Sequence, residues 1–185
     1  MTDEELKNLL LSDPDLQTIF RAVRDLGLPD CWVAAGCVRN AIWNALSGQP
    51  VFDRTTDVDV VFYDLERPYE DSSAIEQRLK ETYPAYLWEV KNQAYMHQHS
   101  PNTARYSSSC EAISKYPETC TAIAARLVGE ELELFAPYSL EDILHFVLRP
   151  TPHFLADEER LAVYQKRLAQ KNWSEKWPQL ILRTT

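Results

Sequence analysis

Residues 31–40 read CWVAAGCVRN and residues 56–64 read TDVDVVFYD, and these two stretches decide how the chain folds. In the first, an apolar run ends at Gly36 and gives way to a helical pattern reaching Gly48, which predicts a strand, a tight turn and a helix. In the second, Asp57, Asp59 and Val61 alternate with Val58, Val60 and Phe62, and the β-branched residues favour a strand. Residues two apart on a strand share a face, so both carboxylates project together, their Cα atoms roughly 6.5–7 Å apart. Like charges placed in this way repel unless a cation lies between them. Hard oxygen ligands favour Mg²⁺, with Mn²⁺ as a substitute, over Zn²⁺.

The two stretches complement each other chemically. Gly36 allows a phosphate to approach the backbone, and the helix that follows presents free N–H groups and its positive dipole end to an anion. Arg39 falls in the first turn of that helix, where its guanidinium can clamp a phosphate oxygen. An anion site beside a paired-carboxylate metal site is what phosphoryl or nucleotidyl transfer requires.

A Gly-x-x-Arg turn followed by Asp-x-Asp on a strand resembles the nucleotidyltransferases of the DNA polymerase β superfamily. The segment from Gly36 to Asn40 is similar to the Gly-Gly-x-Val-Arg-Asp turn of the tRNA-nucleotidyltransferase and poly(A)-polymerase branch. More closely, the chain resembles a family of small bacterial nucleotidyltransferase-like proteins. The matching segments are Trp32 to Asn40, Thr56 to Asp64, Lys91 to His97, Arg149 to Phe154 and Lys171 to Trp173. The resemblance implies a nucleoside triphosphate as substrate, Asp57 and Asp59 as metal ligands and the Gly36–Arg39 turn as phosphate site. It also implies a third carboxylate on a later strand that takes the proton of the attacking hydroxyl. Glu133 is the candidate, since it stands between Leu132 and Leu134 in a strand resembling the second hairpin strand of the tRNA-nucleotidyltransferase branch. Glu131 on the same face and Glu89 on another strand are the alternatives. The superfamily usually places Gly or Ser where Cys37 stands, and some relatives carry Asp where Asn40 stands.

A length of 185 residues with 45% hydrophobic content suits one domain with a sizeable core. It is expected to divide into N-terminal helices (1–30), a catalytic core (31–148) and a C-terminal helix and tail (149–185). No apolar run approaches the ~20 residues of a membrane span, and the start lacks a leader pattern, so a cytoplasmic protein with no membrane partner is expected. The four cysteines show no C-x-x-C spacing, which favours reduced thiols. The net charge of −9 opposes extended binding along a nucleic-acid backbone and favours a small acceptor over a long polynucleotide.

Along the chain, Thr2-x-x-Glu5 forms a capping box for a first helix, and Asp13-Pro14 starts a second that ends at Gly27. Ser73-x-x-Glu76 predicts a helix to about Glu81, residues 86–91 a third strand, and Ser108-x-x-Glu111 a short helix. Residues 121–135 read as a hairpin about Gly129, Ser139-x-x-Asp142 starts a helix ending near Arg149, and residues 156–170 form a last helix. Helices alternate with about five strands, an α/β (α+β) pattern with a mixed sheet flanked by helices, in keeping with the nucleotidyltransferase-like fold that the resemblance implies.

Each remaining candidate has a plainer reading. Lys91 can neutralise triphosphate charge, and Asn92 or Gln93 can read a base, or the cluster is a hydrogen-bonded loop. Arg54 lies close enough in sequence to the carboxylates to meet the same ligand. His97 and His99 form a surface pair without a third metal ligand. Trp43, Trp88, Trp173 and Trp177 read as core. Two functions follow: a Mg²⁺-dependent nucleotidyltransferase acting on an unidentified hydroxyl acceptor, or a non-catalytic triphosphate-binding or interaction module on the same fold.

Overall fold

In strand β2 (Asp57–Phe62) the side chains of Val58, Val60 and Phe62 are fully buried, while Asp57 is exposed and Asp59 half-buried on the other face. The computed structural model, which describes residues 1–185, builds its sheet around this strand. Strand β1 (Trp32–Ala34) runs antiparallel to β2 on one side, and β3 (Leu87–Asn92) runs parallel to it on the other. Beyond β1 lie β4 (Ala124–Val128) and β5 (Glu131–Phe135), giving the order β3-β2-β1-β4-β5. The β4–β5 hairpin turns at Gly129, whose φ of +62° is open to glycine at no steric cost.

Helices α1 (Asp3–Ser12), α2 (Pro14–Asp25), α3 (Gly36–Leu46) and α4 (Asp71–Thr82) supply most of the apolar partners of the Val58–Val60–Phe62 face. The capping box at Thr2 and Glu5 is present as the sequence predicts, and Asp13 caps α2 ahead of Pro14. The opposite face carries a smaller cluster at one end, where Trp32, Ala34 and Val61 pack on Ile113 of α5 (Ser109–Ser114). No helix is long and apolar enough to cross a membrane.

Two expectations need correction. Helix α4 begins at Asp71, so Ser73 lies inside it, and the Glu76 carboxylate accepts the Val90 N–H of β3 at 3.0 Å instead of closing a capping box. The helix after Ser139 is only α6 (Glu141–Leu144); Phe146 then takes φ +55° and the chain enters the short strand β6 (Val147–Leu148). The expected last helix is present as α8 (Glu158–Gln170), capped by Asp157, and a short helix, α7 (Pro152–Leu155), precedes it.

The C-terminal residues then turn back on the sheet domain. Helix α9 (Trp173–Lys176) leads to β7 (Ile181–Leu182), which pairs parallel with β6. Trp177 packs edge-on to Trp43 of α3 at 5.0 Å between ring centroids, and Trp43 stacks on Phe146 at 5.8 Å. Indole Nε1 of Trp43 donates to the Ile143 carbonyl at 2.9 Å. Residues 171–177 are thereby held beside the start of α3.

Asp13 joins two parts of this framework. Its Oδ1 accepts from the Asp15 and Leu16 N–H groups at 2.9 and 3.0 Å, and its Oδ2 from the Phe52 N–H at 3.2 Å. Asp13→Ala is therefore expected to cost about 1–2 kcal/mol of unfolding free energy, measured by urea denaturation. An unchanged midpoint would contradict this role.

Candidate active site

The parallel register of β2 and β3 places Asp59 opposite Glu89 and Val61 opposite Lys91. Asp57, Asp59, Glu89 and Lys91 thus share one face, with neighbouring strands ~4.8 Å apart. Burial, joined by the nearby Glu89 and Asp57 carboxylates, pushes Asp59 up to about 7 against the pull of Lys91. The Lys91 ammonium lies 3.3 Å from Glu89. Three acidic side chains therefore face a single lysine, a donor set of hard oxygens short of positive charge. No three His, Cys, Asp or Glu side chains enclose a cation by themselves. This suits Mg²⁺, which commonly keeps water and substrate phosphate among its ligands and takes only one or two carboxylates from the protein.

On the other side of β2, Ala34 of β1 stands opposite Asp59, a small side chain beside the half-buried carboxylate. The chain then turns at Ala35, which takes φ +58° and ψ −127°. This conformation strongly favours glycine, so the strain of the turn lies at Ala35. The Ala35 N–H donates to the Ile123 carbonyl at 2.8 Å, and its own carbonyl receives the Val38 and Arg39 N–H groups. No side chain caps α3, so the N–H groups of Gly36 and Cys37 are left for a ligand. Gly36 itself has an ordinary φ, and an added Cβ would meet only the side-chain ends of Arg39 at 3.6 Å and Asn40 at 3.9 Å, so its use is an open approach to the backbone.

Arg39 is 3% exposed and held by neutral acceptors. Its Nη1 donates to Thr121 Oγ1 at 2.6 Å, and its Nε and Nη2 donate to Asn40 Oδ1 at 3.1 and 2.9 Å. The guanidinium also faces the rings of Trp43 and Trp173, 4.9 and 4.5 Å from their centroids. A buried guanidinium without a carboxylate partner at the mouth of an uncapped helix is prepared for an anion. Cys37, by contrast, sends its side chain into the main core, where burial raises the thiol far above its ordinary range; only its backbone N–H is available to a ligand.

These groups line one cleft of about 590 Å³. Its opposite wall comes from the C-terminal residues Arg167, Lys171, Asn172, Trp173, Lys176 and Trp177. Five basic side chains (Arg39, Lys91, Arg167, Lys171, Lys176) face three acidic ones (Asp57, Asp59, Glu89). The lining thus holds more cations than carboxylates in a chain of net charge −9, with Arg167 and Lys176 each paired to a carboxylate just outside it, Glu118 and Asp53.

The structure brings Asp57, Asp59, Gly36, Arg39 and Lys91 together and leaves Glu133 out. Glu133 does lie on the same face of the sheet, but β5 is three strands from β2, about 14 Å at the usual strand spacing, and its carboxylate is engaged by Arg126 at 2.9 Å. Glu131 is exposed on the same distant strand. Arg54 turns away to Asp15 at 3.0 Å. Asn92 and Gln93 are buried loop staples: Asn92 holds both the N–H and the carbonyl of Asp64. His153 accepts or donates at Thr103 and is packed. The C-terminal cations escaped the sequence reading because nothing local marks a polar tail as a wall of a distant cleft. The only signal was that Lys171 to Trp173 belong to the segments matching the small bacterial family.

A family model described as "Nucleotidyltransferase" matches residues 21–182. The chain is 53% identical to a protein whose NMR structure is described as revealing a CCA-adding enzyme head domain, with a TM-score of 0.94 over 100% of this chain and 97% of that one. It is 16% identical to the Thermotoga maritima CCA-adding enzyme complexed with tRNA, with a TM-score of 0.58 over 97% of this chain and 42% of that one. A CCA-adding enzyme in complex with CTP is 15% identical, with a TM-score of 0.57 over 97% of this chain and 43% of that one. The last two likenesses show a common fold, and the chain spans about two fifths of those enzymes' length. Comparison with curated proteins gives no match.

The strain at Ala35 is open to a direct check. Ala35→Gly is expected to raise stability by up to about 1 kcal/mol, where a glycine in an unstrained position would lower it by a similar amount. A lowered melting temperature would contradict the strained turn.

Proposed function

Because the chain belongs to this nucleotidyltransferase family, we propose that it moves a nucleoside monophosphate from a nucleoside triphosphate to an acceptor hydroxyl, with the whole chain acting as one catalytic unit. One observation carries this reading: the carboxylates of β2 and β3 and the uncapped, arginine-bearing start of α3 open into the same cleft. Asp57 and Asp59 would hold Mg²⁺, or Mn²⁺ in its place. When bound, that ion supplies charge neutralisation and polarises the phosphate under attack.

The chain's own residues do the rest. The N–H groups of Gly36 and Cys37 and the guanidinium of Arg39 bind phosphate oxygens and fix the triphosphate relative to the carboxylates. Lys91 offsets negative charge at the carboxylate end. Glu89, which stands beside Asp59, takes the role first assigned to Glu133 and accepts the proton of the acceptor hydroxyl. The acceptor oxygen forms the new bond to the α-phosphorus as the bond to the bridging oxygen breaks. Pyrophosphate then leaves with the electron pair, its charge held by Arg39.

A small hydroxyl compound is the acceptor that an acidic exterior favours. The tRNA bound by the Thermotoga maritima enzyme supplies the competing candidate. Both belong in one assay, in which α-labelled triphosphates, Mg²⁺ and either a pool of small hydroxyl compounds or tRNA lacking its CCA end are incubated with the chain. Label transfer is expected to fall at least about 100-fold in Asp57→Asn and Asp59→Asn. Transfer that survives in both variants would overturn the reading.

The third carboxylate is tested separately. Glu89→Gln is expected to slow transfer about 100-fold or more, while Glu133→Gln stays within about twofold of the unmodified chain. The reverse pattern would return the role to β5.

A further inference from the structure

The wall of the cleft opposite the sheet is anchored by a buried carboxylate from the turn before β4. Glu118 is fully buried in the turn before β4, where its carbonyl receives the Thr121 and Ala122 N–H groups. One carboxylate oxygen accepts from Arg167 Nε at 2.7 Å, and the other has no hydrogen-bond partner in the chain. Isolated burial of such a charge is costly, so Glu118 and Arg167 fix one another.

Three residues further on, Thr121 holds Arg39. A single turn thus positions two guanidiniums from different elements. Both come to the same indole, with Arg39 and Arg167 4.5 and 5.4 Å from the Trp173 ring centroid. Lys171 follows at the C-terminal end of α8, exposed at the cleft, and Lys176 is held at 2.8 Å by Asp53. Asp53 is in turn kept at about 2 by that ammonium and by the Thr55 hydroxyl and N–H. Two of these three cations are therefore fixed by carboxylates, and all three face the space that Arg39 faces.

A triphosphate carries more negative charge than one divalent ion and Arg39 offset. We propose that Arg167, Lys171 and Lys176 form a second anion subsite that takes the terminal phosphates of the triphosphate, with Glu118 as the residue that positions Arg167. The proposal rests on the cleft being the nucleotide site and extends it: the C-terminal segment selects triphosphates over monophosphates. A monophosphate has no terminal phosphates to place there and leaves the subsite unused.

The test is calorimetry on the full chain with Mg²⁺ and three probes: ATP, inorganic tripolyphosphate and AMP. Lys171→Ala and Arg167→Ala are each expected to weaken ATP and tripolyphosphate about tenfold or more, with AMP within about twofold. Glu118→Gln is expected to raise the KM for the triphosphate while kcat is retained, because it loosens Arg167 and leaves the reacting groups in place. Lys171 is exposed, so its variant keeps the fold and reports on the subsite alone.

Undiminished ATP and tripolyphosphate binding in both the Lys171 and Arg167 variants would overturn the subsite while leaving the nucleotide site standing. Equal weakening of AMP and ATP would also overturn it, as it would show general damage to the cleft. Failure of the unmodified chain to bind ATP would overturn the nucleotide reading itself, and the subsite with it.

Discussion

Everything in the candidate site depends on how β2 pairs with its two neighbours. Parallel pairing with β3 places Glu89 and Lys91 beside Asp59 and Val61, and antiparallel pairing with β1 places Ala34 on the other side. Shifting either register by one residue would turn the carboxylates into the apolar core. The same register delivers the end of β1, and hence the start of α3, next to Asp59. Metal-type ligands and a phosphate-type turn meet because three strands are locked together, the two motifs being joined directly by the β1–β2 pairing.

The cost of that arrangement is visible in its charges. Asp59 sits among carboxylates with only Lys91 to relieve it, and Arg39 is buried without an anionic partner. Neither is a comfortable resting state for a protein interior, and each is what the other's ligand would cure. The C-terminal return completes the enclosure. Pairing of β7 with β6 and packing of Trp177 on Trp43 bring Lys171, Trp173 and Lys176 to the mouth of α3. A cleft with carboxylates on one wall and cations on the other follows from this folding back.

Much of this was legible in the sequence where the governing forces are local. The alternation in residues 57–62, the capping residues Thr2, Asp13 and Ser108 and the Gly129 turn all act within a few residues, and each appears as predicted. Ser73 misled because the glutamate three residues later serves a backbone N–H of β3, a tertiary use that overrides the local pattern. Glu133 misled for a different reason. Its face could be read from the period of two, but its lateral distance depends on strand order, which only the pairing reveals. The basic wall was the least legible part, since a polar tail carries no sign of the strand pairing that returns it. Ala35 shows the opposite case: the turn is legible from Gly36, but nothing in the sequence marks the positive φ that Ala35 takes just before it.

On the proposed reading, the Asp57–Asp59 face and the Gly36–Arg39 turn form one metal-dependent triphosphate site. The most direct measurement is calorimetric titration of the unmodified chain with ATP, CTP, GTP and UTP, each with Mg²⁺ and with EDTA, set against an Asp57→Ala/Asp59→Ala double variant. One triphosphate is expected to bind per chain, only with Mg²⁺, and none to the double variant. Binding that persists in EDTA, or that the double variant retains, would contradict it.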